Sequence, residues 1–445
     1  MGVLGEHRGT EPRRIYFKFS EETETTSDLK VATKPCDKEI FVALVKADLS
    51  ALCIFCRLNK LNIFVSLCLN KKLSASVTMC SKSLHSNIIL IIQNMYKIEI
   101  KPRVFHFRQP AGTSRGVYTE RKSWLLTVTC DEMPGRKGVG ECAPLPDLSC
   151  DATPEFEKTL NAVCERFCQE GKINYQMLRP YPSILFGLET ALLNLERGDI
   201  LFDTPFTRGE EGITINGLVW MGSYEEMLAR IEEKLEQGFH CIKLKIGAID
   251  FDYELDMVKR IRDRFSRREV ELRVDANGGF KYEEALYKME LLSQYAIHSI
   301  EQPIKPRQWG YMAQLCRDSP LPIALDEELI GVNMPEMKAQ VLNIIKPAYI
   351  VLKPSLHGGI QGTREWVEIA RDKGIGSWIT SALESNIGLN AVAQLAADIY
   401  GTGDKVMAQG LGTGQLFTDN IPMPLEVRGE KLFFEHRGTE TQSKD

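Results

Sequence analysis

From residue 95 onward the alternation of apolar and polar positions divides the chain into two kinds of segment. "MYKIEIKPRVFHF" (95–107) and "KSWLLTVTCD" (122–131) switch polarity at nearly every step, the period of a half-buried β-strand. They precede two stretches with helical spacing, "TPEFEKTLNAVCERFCQE" (153–170) and "SILFGLETALLNLER" (183–197). Thr153 followed by Pro154 reads as an N-cap with proline at the first helical position, and Cys164 and Cys168 share one face of that helix with core residues. Beyond residue 213 the rhythm becomes strand, helix, strand, helix. The strands are "ITINGLV", "CIKLKIG", "ELRVDAN", "HSIEQP", "PIALDE", "YIVLKPS", "SWITSAL" and "VMAQGLG". Residues 275, 301, 326, 353 and 380 mark successive strand ends, 26, 25, 27 and 27 residues apart. Amphipathic helices such as "SYEEMLARIEEKLEQG" fill the gaps. Eight strands with seven internal helices predict an α/β fold, a modified (β/α)7β TIM-type barrel, with an α+β domain before it. A doubly wound open sheet is the competing architecture, but it gathers its functional residues at one switch point, whereas here polar residues end nearly every strand.

Residues 1–94 lack this order. After Gly9 there is no glycine before Gly112, and after Pro35 no proline before Pro102, so turn punctuation is nearly missing. The segment reads as an atypical extension, disordered or not native, with Met95 as the natural start. The rival is a targeting or regulatory segment, against which the acidic "SEETETTSD" argues, since transit peptides are poor in acidic residues. The remaining divisions are an α+β capping domain over 95–205, the barrel over 206–410, a segment over 411–436 returning to the cap, and a flexible tail over 437–445.

Bulk composition narrows the function classes. The 445 residues are 43% hydrophobic and 26% charged, with a formal net charge of −5, which offers no general footprint for nucleic acid. No apolar run approaches the roughly 18 residues of a membrane span. Twelve cysteines in so large a chain point to reduced thiols in a cytoplasm rather than to a disulfide scaffold. The lone Cys53-x-x-Cys56 has no second pair at zinc-ribbon spacing.

Chemistry appears at the strand ends, where β/α barrels carry their sites. Asp275, Glu301 and Asp326 end three successive strands roughly 4.8 Å apart, so their carboxylates converge. One such acid is ordinarily a helix cap. Three in register repel one another and resist burial unless a cation joins them, and an all-oxygen set favours Mg²⁺ over zinc. Lys243 and Lys245 point into the same mouth from the preceding strand, and Lys353 from the following one. An isolated K-x-K on an edge strand would merely be solvated. Here one lysine supplies positive potential about 6.6 Å from the other and lowers its pKa, fitting the second to act as a base, although spacing alone does not say which is which. Base, cation and carboxylates suit abstraction of a proton next to a carboxylate.

In order along the chain, "KLKIG", "RVDANGGF", "IEQP", "IALDEEL" and "VLKPSLHGGI" resemble the enolase superfamily over about residues 95–436, and in particular its muconate-lactonizing-like branch. The superfamily is a described instance of the lysine-plus-Mg²⁺ pattern. The resemblance implies Lys245 as base, Lys353 as the lysine of the opposite face, Lys243 as electrostatic helper, and Asp275, Glu301 and Asp326 as ligands of Mg²⁺, with Mn²⁺ as a substitute. Within the branch, "TSALESNIGLNAVAQLAA" and "GLGTGQLFTDNIPMPLEVRGEKLFF" are similar to the o-succinylbenzoate synthase family, which implies a dehydratase of menaquinone biosynthesis. Racemases of N-acylamino acids and dipeptide epimerases keep both lysines and are the alternative. A non-catalytic barrel would predict a damaged set of residues. The expected partner is a small-molecule carboxylate substrate, with no nucleic acid or membrane; oligomeric state stays open.

The substrate contacts are less determined. The resemblance makes "QPAGTSRGVYTER" (109–121) a lid with Arg115 as a contact, or else a plain surface loop. Arg273 shares a face with Asp275. Ser381 and Ser385 either donate to a substrate carboxylate or, in one case, cap a helix. Asn277 either orients a metal ligand or forms the turn. His357 reads as loop structure, and Glu328 stands where many members of the superfamily carry Ser.

Overall fold

The computed structural model describes residues 95–113, 116–403 and 405–435 and, before them, only the backbone of six short strand segments between Arg14 and Thr78. The expectations for residues 1–94, for Cys53 and Cys56, for Arg115 and for the tail lie outside the described residues.

Strands β1 (Tyr96–Thr113), β2 (Gly116–Cys130) and β3 (Gly138–Cys142) form an antiparallel sheet in that order. Alternation on β2 turns Trp124, Leu126, Val128 and Cys130 inward. Helices α1 (Phe156–Glu170), α2 (Tyr175–Leu178) and α3 (Pro182–Arg197) follow. On α1 the buried stripe Phe156, Leu160, Val163, Cys164 and Phe167 follows helical spacing. That helix begins two residues after Pro154, because the Phe156 N–H bonds to the Thr153 carbonyl in a tight turn first. β3 lies hard against α3: a Cβ on Gly140 would stand 2.1 Å from the Gly187 carbonyl oxygen, so only glycine admits this approach.

The second region opens with a strand that splits. In "ITINGLV", β4 (Ile213–Thr214) pairs antiparallel with a C-terminal hairpin, while β5 (Gly217–Val219) enters a parallel sheet. The parallel strands then alternate with helices: α4 (Tyr224–Glu236), β6 (Cys241–Lys245), α5 (Phe251–Arg264), β7 (Glu271–Asp275), α6 (Tyr282–Ser293) and β8 (Ser299–Glu301). After these come α7 (Trp309–Asp318), β9 (Ile323–Leu325), α8 (Pro335–Ile345), β10 (Tyr349–Leu352), α9 (Gly359–Arg371), β11 (Gly376–Ile379) and α10 (Asn386–Tyr400). The sheet runs β5 to β11 in sequence order. The expected eighth strand, "VMAQGLG", is reduced to two bridges. Gln409 pairs with Ile215 and Gly410 with Thr380, which links the two ends of the sheet. Glycine has no side chain to pack on a pleated face, so the pairing stays short.

β6 through β11 have one parity. Ile242, Leu244, Leu272, Val274, Ile300, Ile323, Leu325, Ile350, Leu352 and Ile379 face the helices in one buried core. The other parity lines the interior, where Ala324, Val351 and Trp378 form a small cluster. The hairpin β12 (Leu425–Arg428) and β13 (Lys431–Phe434) carries the partner of β4, and residues ahead of it return to β1, where Phe107 bridges Phe417. No helix among the described residues is long and apolar enough to cross a membrane.

Candidate active site

Parallel register fixes the geometry. Lys245 pairs with Asp275 and Asp275 with Glu301, so the last residues of β6, β7 and β8 stand side by side. Asp326 follows β9 directly and Lys353 follows β10. All six ionic side chains are inward: both lysines of β6 are at least nine-tenths buried, and Asp275 and Asp326 are wholly so.

The Lys243 ammonium donates to both oxygens of Glu301 at 2.7 Å and lies 2.8 Å from Asp275 Oδ2. Lys245 Nζ reaches the same Asp275 oxygen at 2.5 Å and Asn277 Oδ1 at 2.8 Å. Across the mouth, Lys353 donates to Asp326 Oδ2, and its backbone N–H donates to His357 Nδ1 at 2.8 Å. Among the described residues no three His, Cys, Asp or Glu side chains gather into a ready metal-binding group. Asp275 and Glu301 nevertheless end neighbouring strands in register and meet on the one Lys243 ammonium. Ammonium groups supply the counter-charge: Lys243 joins Asp275 to Glu301, and Lys353 pairs with Asp326. The donor set nonetheless fits a hard divalent cation. It is all oxygen, and Asp326 Oδ1 is buried with a lone pair that no protein group satisfies.

Burial and neighbouring charge act on each group of the site in opposite senses. Burial pushes the Lys243 pKa down, but Asp275 and Glu301 outweigh it and hold the ammonium above its ordinary value. Burial also works against Lys353, and Asp326 again prevails and raises it. Burial raises the Asp275 carboxyl, yet Lys243 and Lys245 override this and hold it well below the usual carboxylate range. Glu301 goes the other way, raised by burial and then by the Asp275 charge beside it. Burial presses His357 down to about 3, so the ring is neutral and its Nδ1 is free to accept from Lys353.

Other expected residues lie elsewhere. Arg273 points inward but one layer deeper than Asp275: it bonds Glu271 at 2.7 Å and the Ala408 carbonyl at 2.9 Å, with its guanidinium 4.5 Å from the Trp378 ring centre. It fills the barrel interior and does not reach the mouth. The Ser385 hydroxyl accepts from Ile387 N as the N-cap of α10 and donates to Glu141 at 2.6 Å, so it is not offered to a ligand. Ser381 pairs with Thr413 at 2.7 Å. Asn277 takes the turn, at φ 43°, and its backbone N–H donates to Asp275 Oδ1 at 3.0 Å, while its side chain holds Lys245 and donates to Glu327 at 3.0 Å. Sequence reasoning missed Gln302 and Glu327, which brace the strand ends. Their only signal was position, each adjoining an acid that ends a strand.

A β/α barrel with lysines on two sides of three carboxylates, joined to an α+β sheet domain, defines the enolase superfamily class. Family models agree: residues 226–431 match "Enolase C-terminal domain-like" and residues 112–195 match "MenC, N-terminal domain". The o-succinylbenzoate synthase of Desulfotalea psychrophila is 44% identical over 73% of this chain and 95% of the relative. The L-Ala-D/L-Glu epimerase of Bacillus subtilis is 29% identical over 64% of this chain and 79% of its own length. The crystal structure of MenC from Desulfotalea psychrophila superposes with a TM-score of 0.67 at 39% identity, covering 76% of this chain and all of that one. The chain belongs to the o-succinylbenzoate synthase family of the enolase superfamily.

Proposed function

We propose that this chain dehydrates 2-succinyl-6-hydroxy-2,4-cyclohexadiene-1-carboxylate to o-succinylbenzoate in menaquinone biosynthesis. The observation that carries the reading is the pair Lys245 and Lys353, set on β6 and after β10 on either side of three carboxylates. It occurs in a chain 44% identical to a synthase of that name.

Lys245 is the base for the proton alpha to the carboxylate. Asn277 Oδ1 and Asp275 fix its Nζ, so its approach to substrate is set by a turn and a strand end. Lys243, between the carboxylates of Asp275 and Glu301, adds positive potential. Lys353, kept charged by Asp326, faces the enediolate from the opposite side. When hydroxide leaves the adjoining ring carbon, the proton taken by Lys245 is available to it, so water departs and the ring becomes aromatic. Asp275, Glu301 and Asp326 would hold Mg²⁺, with Mn²⁺ as a substitute, and a cation there supplies positive charge for the substrate carboxylate.

The test is ultraviolet detection of the aromatic product with Mg²⁺ and after chelation. Turnover that needs metal is expected; none with metal present ends the proposal. Lysines on two faces also suit racemisation of an N-acylamino acid or epimerisation of a dipeptide. Incubation with N-succinylamino acids in deuterated buffer separates that activity, because it exchanges the alpha proton without loss of water.

A further inference from the structure

The loops after β8 and β9 are stitched together beneath the mouth. Gln302 follows Glu301 with φ 40°, fully buried, and its Oε1 accepts from the backbone N–H groups of Asp326 and Glu328, both at 3.2 Å. Its Nε2 donates to the Ile304 carbonyl at 3.0 Å. Glu328 returns the connection. Its backbone belongs to the segment that carries Asp326, yet its fully buried carboxylate reaches into the segment that carries Glu301. There Oε1 accepts from Arg307 N and from Trp309 Nε1, each at 2.7 Å, while Oε2 faces Gln302 Nε2 at 3.5 Å. Arg307 sits at φ 71°, a conformation an L-residue leaves unless something holds it.

We infer that Glu328 is a positioning residue that locks the loop after β8 to the loop after β9 and so sets the spacing of Glu301 and Asp326 for a divalent cation. The inference rests on the reading of those two acids as metal ligands. Glu328 acts only through its hydrogen bonds, since each is made to a group behind the carboxylates and none to the lysines that share the mouth. Groups that brace metal ligands typically govern affinity by about 10- to 100-fold.

Titration calorimetry with Mg²⁺ alone, on the full chain, tests it. Wild-type binding comes first, and its absence would sink the ligand reading rather than this one. Given wild-type binding, Glu328→Ala raises the Mg²⁺ Kd by about 10- to 100-fold. Saturating Mg²⁺ restores much of kcat. Glu328→Gln stays within about threefold of wild type, because a carboxamide oxygen still accepts from both Arg307 N and Trp309 Nε1. Trp309→Phe removes one donor, leaves the carboxylate in place and gives an intermediate Kd; together with Glu328→Gln it carries the test if the alanine variant does not fold. Wild-type affinity in Glu328→Ala, or in Trp309→Phe where that stands in, overturns the inference, as does a loss in Glu328→Gln equal to that of alanine.

Discussion

Two groups of buried acids in this molecule have opposite partners. At the mouth, Asp275, Glu301 and Asp326 face lysine ammonium groups on flexible stems. At the joint of the two regions, Glu141 of β3 and Glu189 of α3 face the N-termini of helices. Glu141 accepts from Ser123 Oγ at 2.7 Å, Ser385 N at 3.0 Å, Ser385 Oγ at 2.6 Å and Gly388 N at 3.0 Å, closing the start of α10. Glu189 accepts from Ile360 N at 2.5 Å and Gln361 N at 3.1 Å, closing α9. Helix termini present unpaired N–H groups and a partial positive charge, which a carboxylate satisfies without a counter-ion. Backbone donors cannot swing away, so these acids anchor. Ammonium groups can, which under the proposed function leaves the acids at the mouth to a cation and Lys245 to a substrate proton.

That contrast is broken most sharply at Lys245. Lys245→Ala is expected to lower kcat by about 1,000-fold, within the range for a lost general base. Stability should change little, since Lys243 still faces Asp275 at 2.8 Å. Turnover within tenfold of wild type would remove the base assignment. Glu141→Ala is expected to do the reverse. It strands buried Ser385 and Gly388 donors and should cost about 3 kcal/mol in urea unfolding, in line with hydrogen bonds to a charged group. An unfolding midpoint equal to wild type would show that the joint does not depend on it.

A smaller effect tests whether the anchor acids are themselves comfortable. Burial pushes Glu189 up to about 8 despite its two backbone donors. A carboxyl whose folded pKa lies above its unfolded value gives stability that is fully present below about pH 4.5 and is lost as pH rises through about 8. Wild type should therefore lose stability relative to Glu189→Gln between pH 5 and pH 8. Urea unfolding of both proteins at unit intervals checks this, and parallel curves would mean that Glu189 does not titrate in that window.

The mouth was far more legible in the sequence than the joint. Strand alternation gives the face of a side chain directly, and the even spacing of acids gave the barrel and the inward set Lys243, Lys245, Asp275 and Glu301. Alternation does not give depth, so Arg273 shared a face with Asp275 without sharing its layer. Nor does it reveal a distant partner. Glu141 lies 244 residues from Ser385, and nothing near either one says that the hydroxyl is taken. The same blindness hid Gln302 and Glu327, whose bonds are made between loops. The first and last barrel strands were read too long for other reasons: the chain changes partner between Thr214 and Gly217, and glycine cuts the last strand to the bridges at Gln409 and Gly410.

Asn277 belongs to both worlds, a side chain that steers a lysine from a backbone locked in a turn, and it allows the smallest and cleanest separation. Its φ of 43° lies in the left-handed region, which asparagine tolerates and alanine does not. Its amide oxygen meets Lys245 and its amide nitrogen meets Glu327. Asn277→Gly keeps the turn and deletes the contacts, so kcat should fall by about tenfold through a less well placed base, with the unfolding midpoint nearly unchanged. Asn277→Ala should match that kcat and also lose about 1 kcal/mol to backbone strain. If glycine restored wild-type turnover, the side chain would be serving the turn alone, and Lys245 would owe its placement to Asp275 and the strand end.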